Sequence, residues 1–265
     1  MATDSQSAPV SKKALWAGRI MSALPVLLLL FSGALKLLRP KEVVEGFEQM
    51  GYPQGLAVWL GIVEIACAIL YVVPRTSVLG AILVTGYLGG AVATHVRAGG
   101  SLFQILFPVI MGALVWGGLC LRDERLPGHL KSDAQSAAVS KKAFWVGIIA
   151  SAPPVLTLLF AGVMVLAKPA SMAPEFGRLG YPDSVILGIG ILEITCTVIY
   201  IIPRVSALGA ILLTGYLGGA VATHARIGDP SYNIIMPILF GALAWGGLYL
   251  RDARLRDLLP LRKEK

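Results

Sequence analysis

Apolar runs of near 18 to 24 residues recur eight times, near 15–38, 55–73, 77–96, 102–121, 144–167, 184–202, 206–225 and 232–250, and they constrain the fold more than any other feature. A helix rising about 1.5 Å per residue needs about 20 such residues to cross a hydrocarbon core of about 30 Å. Composition agrees: 56% of residues are hydrophobic, 14% are charged and mean hydropathy is +0.74, well outside the usual range of a water-soluble domain. The 30 glycines and 16 prolines would break many helices in water, but both are common within membrane spans, where small residues let helices approach. The runs therefore predict helices, not strands.

Laid over itself with a shift of 129 residues, the sequence repeats. Ser11-Lys12-Lys13 returns as Ser140-Lys141-Lys142, Gly51-Tyr52-Pro53 as Gly180-Tyr181-Pro182, and Pro74-Arg75 as Pro203-Arg204. The stretch Thr85 to His95 returns unchanged as Thr214 to His224. Two units follow, residues 11–130 and 140–255, each with four transmembrane helices. The polar segment Arg122 to Ala138, with Pro127, Gly128 and Ser136, marks a boundary close to 135. The first run follows Lys12, Lys13 and Arg19 in the manner of a secretory signal, but its twin at 144–167 lies mid-chain, so an uncleaved first helix is expected.

Four spans per unit is an even number, so the units run parallel. The expected architecture is all-α: two parallel four-helix bundles, eight transmembrane helices in all, related by a pseudo-two-fold axis along the membrane normal. The amino terminus, the turns after the second span of each unit, the linker and the carboxyl tail carry 16 Lys and Arg against 7 on the other side. The positive-inside rule then predicts a multi-pass cell-membrane protein with both termini cytoplasmic. The net charge of +8 is accounted for by topology and membrane lipid. With no aromatic-interleaved basic patch, no nucleic-acid partner is expected.

Ionisable groups within spans cost roughly 2.5–3.5 kcal/mol each on insertion scales and point to function by default. Glu64 lies about 12 Å into the second span at about 1.5 Å per residue, and Glu193 repeats it. Since adjacent helices alternate direction, Lys36, Glu64, His95 and Gln104 converge from four helices toward one mouth, with Tyr87 near the depth of Glu64. Glu64, His95, Tyr87 and Lys36 are the candidate catalytic groups. Gln104, Thr94, Tyr52, Glu193, His224 and Tyr216 are the candidate ligand-binding groups. Glu64 is deeper than His95, so direct contact between them would need a bridging water. In the second unit Lys36 becomes Val165 and Ser32 becomes Ala161. Lys36 can hold Glu64 ionised, whereas desolvation favours the neutral acid at Glu193; the first pocket is the stronger candidate.

Over each mouth a 16- to 17-residue connection, Arg39 to Gly55 in the first unit, is too long for a turn. Val43, Val44, Phe47 and Met50 fall on one face, which predicts a short interfacial amphipathic helix closed by Gly51-Tyr52-Pro53. Trp116 and Trp245 read as interfacial anchors. Cys67, Cys120 and Cys196 form no Cys-x-x-Cys pair, which argues against a dithiol site, and no metal site is expected. A haem bridging His95 and His224 has nothing else to support it.

With its Phe31-Ser32-Gly33-Ala34-Leu35-Lys36-Leu37 segment, Gly51-Tyr52-Pro53, Glu64, Pro74-Arg75 and Thr94-His95, each unit resembles the DoxX-like membrane proteins. The resemblance implies small four-helix bundles and a link to oxidoreductase assemblies, as with the quinone-reducing thiosulfate oxidoreductase subunit that gave the name. It implies a membrane subunit that binds a quinone or similar lipophile, with a redox protein partner to carry the electrons; self-association is left open. Two other classes stay open: an intramembrane acid/base enzyme (isomerase, cyclase or hydrolase) acting on an apolar substrate, and a non-enzymatic assembly factor. A transporter is a weaker fourth, since broken helices are not evident.

Overall fold

A computed structural model describes residues 11–53, 55–122, 139–253 and 255. The expected unit boundary near 135 lies outside them. Among the described residues there are ten helices and no strand. The first unit holds α1 (Lys12–Leu38), α2 (Lys41–Gln49), α3 (Leu56–Val72), α4 (Ser77–Arg97) and α5 (Leu102–Arg122). The second holds α6 (Lys141–Ala167), α7 (Pro169–Arg178), α8 (Asp183–Ile201), α9 (Ser206–Arg226) and α10 (Ser231–Arg251). Seven of these are long and apolar enough to cross a membrane; α3, with 17 residues, is shorter than its 19-residue counterpart α8.

Local chemistry sets the ends. Ser11 and Ser140 accept from the backbone N–H three residues on, each at 3.2 Å, capping α1 and α6. Pro25 in α1 and Pro108 in α5 sit within helices, as neighbouring helices in lipid permit. The outward faces are apolar, with Phe31 64% and Phe160 70% exposed, a surface that needs lipid rather than water around it.

Within the first unit α1 packs on α3 and α5, and α4 closes the ring against the same two; α6, α8, α9 and α10 repeat the pattern. One end of the first bundle gathers the start of α1 with the ends of α3 and α5, where Arg122 Nη2 donates to the Tyr71 carbonyl at 2.7 Å. The opposite end carries α2 and α7 and is termed the lid end. Tyr71 and Tyr200 are fully buried; each bonds a serine of the first helix (Ser22, Ser151) and donates to a carbonyl of the last (Val115, Ala244) at 2.7 and 2.8 Å.

The units meet along α4 and α9, their most extensive helix contact. A Cβ on Gly89 would lie 2.0 Å from the Gly215 carbonyl oxygen, and one on Gly218 would lie 2.0 Å from that of Gly86. The approach is reciprocal and only glycine allows it. Trp116 and Trp245, read from the sequence as interfacial anchors, are part-buried against the neighbouring helix. Their indole N–H groups donate to Thr85 and Thr214 at 2.9 and 2.8 Å, because a part-buried indole must find an acceptor and the neighbouring span offers one.

Candidate functional site

A buried ion pair joins α1 and α3 in the first unit. Lys36 Nζ lies 2.7 Å from Glu64 Oε2, with side-chain exposures of 11% and 3%. Helix direction brings them together. Lys36 is in the last turn of α1, and helical side chains lean toward their own N-terminus, so its stem descends from the lid end. Glu64 leans the other way from α3. Backbone proximity completes the geometry: a Cβ on Gly61 would lie 2.9 Å from both the Gly33 carbonyl oxygen and Lys36 Cβ, so glycine lets α1 and α3 close to pairing distance. Lys36 also bonds Ser32 Oγ and stands 5.9 Å from the Tyr87 ring centre, and the Tyr87 hydroxyl turns to the same carboxylate.

In the second unit Val165 is buried where Lys36 stood, and Ala161 replaces Ser32. Glu193 is 4% exposed and has Tyr216 as its polar side-chain neighbour. The expected asymmetry is therefore present as geometry: two buried acids, one of them with a cation.

The ion pair lies on the wall of a cavity of about 1090 Å³, lined by apolar side chains from all four bundle helices of the first unit and by α9 and α10 of the second. Lys36, Glu64, Tyr87, Thr94 and His95 are polar groups on its wall. A crevice of about 300 Å³ runs beneath α2 between Lys36 and Phe47. The amphipathic lid is present as expected, with Val43, Val44, Phe47 and Met50 half-buried and Glu42, Glu45 and Glu48 exposed. Gly51 takes φ +72° to turn the chain off α2.

Tyr52 and Thr94 are bonded to each other at 2.5 Å, so they pin the lid loop to α4; Tyr181 and Thr223 repeat this at 2.9 Å. Gln104 is exposed and outside the cavity wall. Its Oε1 accepts from Ser101 N–H at 2.7 Å while Ser101 Oγ accepts from Gln104 N–H at 3.4 Å, a capping box at the start of α5. The Ser-x-x-Gln spacing could have disclosed it.

The histidines diverge. His95 faces the cavity. His224 Nδ1 lies 2.6 Å from Asp229 Oδ2, and the same carboxylate accepts from Arg178 of α7 at 2.7 and 3.1 Å and from Asn233 at 3.3 Å. Arg178 also pairs with Glu175. This latch ties the second lid to the loop after α9, and Arg178 beside Asp229 holds its carboxyl well below the usual carboxylate range. In the first unit the same positions are Gly46, Gln49 and Gly100, so these residues cannot build it. No cluster of three or more His, Cys, Asp or Glu with metal-binding placement occurs among the described residues.

The sequence model of the DoxX-like family matches residues 20–118 and again residues 149–247. No curated protein and no solved structure matches the chain.

Proposed function

The chain belongs to the DoxX-like family as a tandem duplication, and we propose that it is a membrane subunit that binds a quinone or similar amphipathic lipophile in the first-unit cavity, in association with an oxidoreductase. One observation carries the proposal: a cavity of about 1090 Å³ with apolar walls places its buried Lys36–Glu64 pair where a ligand's polar head would arrive. An apolar tail fits the walls, and a carbonyl or hydroxyl head fits the Lys36 ammonium and the Tyr87 hydroxyl. Reduction of a quinone consumes two electrons and two protons; Glu64, Tyr87 and His95 are the groups placed to move protons, and a redox protein partner supplies the electrons. Entry runs beneath α2, whose lid lacks the Asp229 latch of the second unit.

The topology proposed with it has all eight bundle helices crossing the cell membrane, α3 included, as two parallel bundles about a pseudo-two-fold axis. The reciprocal glycine contacts of α4 and α9 support this arrangement. The 16 to 7 division of Lys and Arg supports cytoplasmic termini.

The test is native mass spectrometry with lipid identification on the purified chain, repeated on Glu64→Gln and Glu193→Gln. A quinone or isoprenoid carried by wild type and Glu193→Gln but lost from Glu64→Gln is the expected result. A cavity empty in all three proteins, or a ligand indifferent to Glu64, refutes it.

A further inference from the structure

At the lid end of the α4–α9 seam, one arginine from each unit ends its helix. Arg97 Nη2 donates to the Met50 carbonyl at 2.5 Å, and Arg226 Nη2 donates to the Leu179 carbonyl at 2.7 Å, so each holds the backbone just ahead of its own Gly-Tyr-Pro loop. The side chains also cross between units. A Cβ on Gly180 would lie 3.0 Å from Arg226 Nη2 and 3.4 Å from Arg97 Cδ, and one on Gly51 would lie 3.3 Å from Arg226 Nη1. Both glycines are at positive φ, +72° and +80°. Two cations thus occupy one small space beside the two loops.

Among the described residues, no carboxylate is paired with these two cations. Asp229, in the loop just after Arg226, is committed to Arg178 and His224. Tyr52 and Tyr181 lie close by, but their protons are already assigned. Thr94 and Thr223 donate to the carbonyls of Gly90 and Gly219, each at 2.8 Å, so in each Tyr–Thr bond the phenol must be the donor. Arg226 Nε, moreover, is buried with no hydrogen-bond partner. An orphaned charged donor is rare in folded proteins and asks for an acceptor. Here it accompanies two like charges that the fold forces together.

We propose that Arg97 and Arg226 jointly bind a phosphate-bearing anion at the lid end of the seam. Guanidinium forks match the spacing of phosphate oxygens, and one anion held by the outer Nη groups would offset both charges. The headgroup of an anionic lipid and free phosphate present the same chemistry. The bound anion would bridge the two units, and the site stands whether or not the first-unit cavity holds a lipophile.

The test uses the delipidated full chain in neutral detergent, with phosphatidylglycerol and inorganic phosphate as probes and a diacylglycerol as the phosphate-free control. Lipid adducts are counted by native mass spectrometry, and phosphate binding is read as a thermal shift. The expected result is at least a tenfold loss of affinity in Arg97→Gln/Arg226→Gln for whichever probe binds wild type. Phosphatidylglycerol binding without a phosphate shift identifies a lipid headgroup; a phosphate shift without preference for phosphatidylglycerol over diacylglycerol identifies the free anion. Arg226→Lys keeps the charge but removes the planar guanidinium fork, and a threefold or greater loss is expected there even if the double variant does not fold. Equal affinity of wild type and Arg226→Lys, or of wild type and a folded double variant, overturns the proposal.

Discussion

Replacing Lys36 by valine, the residue at its counterpart position 165, would leave Glu64 buried without a cation. At 2.7 Å and an effective dielectric of about 20, the attraction between the two charges is worth about 6 kcal/mol before desolvation is counted. Burying each ion costs several kcal/mol, so the intact pair contributes little net stability, whereas removing one partner costs about 3–5 kcal/mol. Exposures of 11% and 3% leave little room for water to soften that loss. Lys36→Val and Glu64→Gln should each destabilise the protein by about 3 kcal/mol or more, and the double variant should recover most of it. Glu193→Gln is the internal control, expected to cost within about 1 kcal/mol because no buried cation is orphaned and the isosteric amide keeps Tyr216 as its polar neighbour. The assay is unfolding in mixed dodecyl maltoside and SDS micelles, read by tryptophan fluorescence. A Lys36→Val loss no larger than that of Glu193→Gln, or additive single effects in the double variant, would refute the reasoning.

Gly89→Ala and Gly218→Ala should each destabilise the seam by at least about 2 kcal/mol, since the new Cβ would fall 2.0 Å from a facing carbonyl oxygen. Gly86→Ala, whose nearest neighbour is 3.6 Å away, should be tolerated within about 0.5 kcal/mol; equal losses in the same micelle assay would show that the close approach does not hold the units together. The second lid should stay latched over a wide pH range. The folded carboxyl of Asp229 is depressed chiefly by Arg178 and then by His224, so its stabilisation is complete above the unfolded value of about 3.9 and is lost only as pH falls through the lower folded value. Spin-label distances between α7 and α10 should be the same at pH 7 and pH 5, whereas Asp229→Asn should broaden them at both. Broadening of the wild type at pH 5 would count against the latch.

Much of this molecule was legible because lipid narrows the options. Run length fixed helices in place of strands, the 129-residue repeat marked two units, and alternating direction indicated which ends of which spans share a level. Lys36 and Glu64 could be paired from sequence because a buried carboxylate needs a cation and alternating helix direction brings Lys36 to the same end as Glu64. Gln104 misled because convergence on a mouth was weighed without the local competitor, the N-terminal backbone of α5 that it caps. The indole bonds of Trp116 and Trp245 were hidden for a similar reason: an aromatic near a span end suits the interface, and periodicity does not show that Thr85 and Thr214 offer an acceptor one helix away. The Asp229 latch was hidden in the differences between copies. Gly46, Gln49 and Gly100 become Glu175, Arg178 and Asp229, three coordinated gains of charge that a search for twins passes over. The arginines at the seam were visible as residues, but their meeting depends on how α4 and α9 cross, which periodicity does not specify.

The division of labour between the copies follows from these same differences. The second unit has lost the cation beside its buried acid and has gained a latch across its lid, two changes that both act against an exchangeable polar ligand there. Yet it supplies part of the wall of the first-unit cavity, through α9 and through Ile238 and Trp245 of α10, and Trp245 packs against the buried cores of both units. A lone first unit would open that wall to lipid. Covalent duplication keeps the wall at an effective concentration that two separate chains would reach only by associating. It also lets one copy keep the Lys36–Glu64 pair while the other keeps its buried acid, Glu193, without a cation. On these grounds the first unit expressed alone should fold as a bundle around its own core but retain lipophile poorly, and substitutions of Trp245 that leave the second core intact should weaken retention in the full chain, although residue 245 lies outside the unit that carries the ion pair.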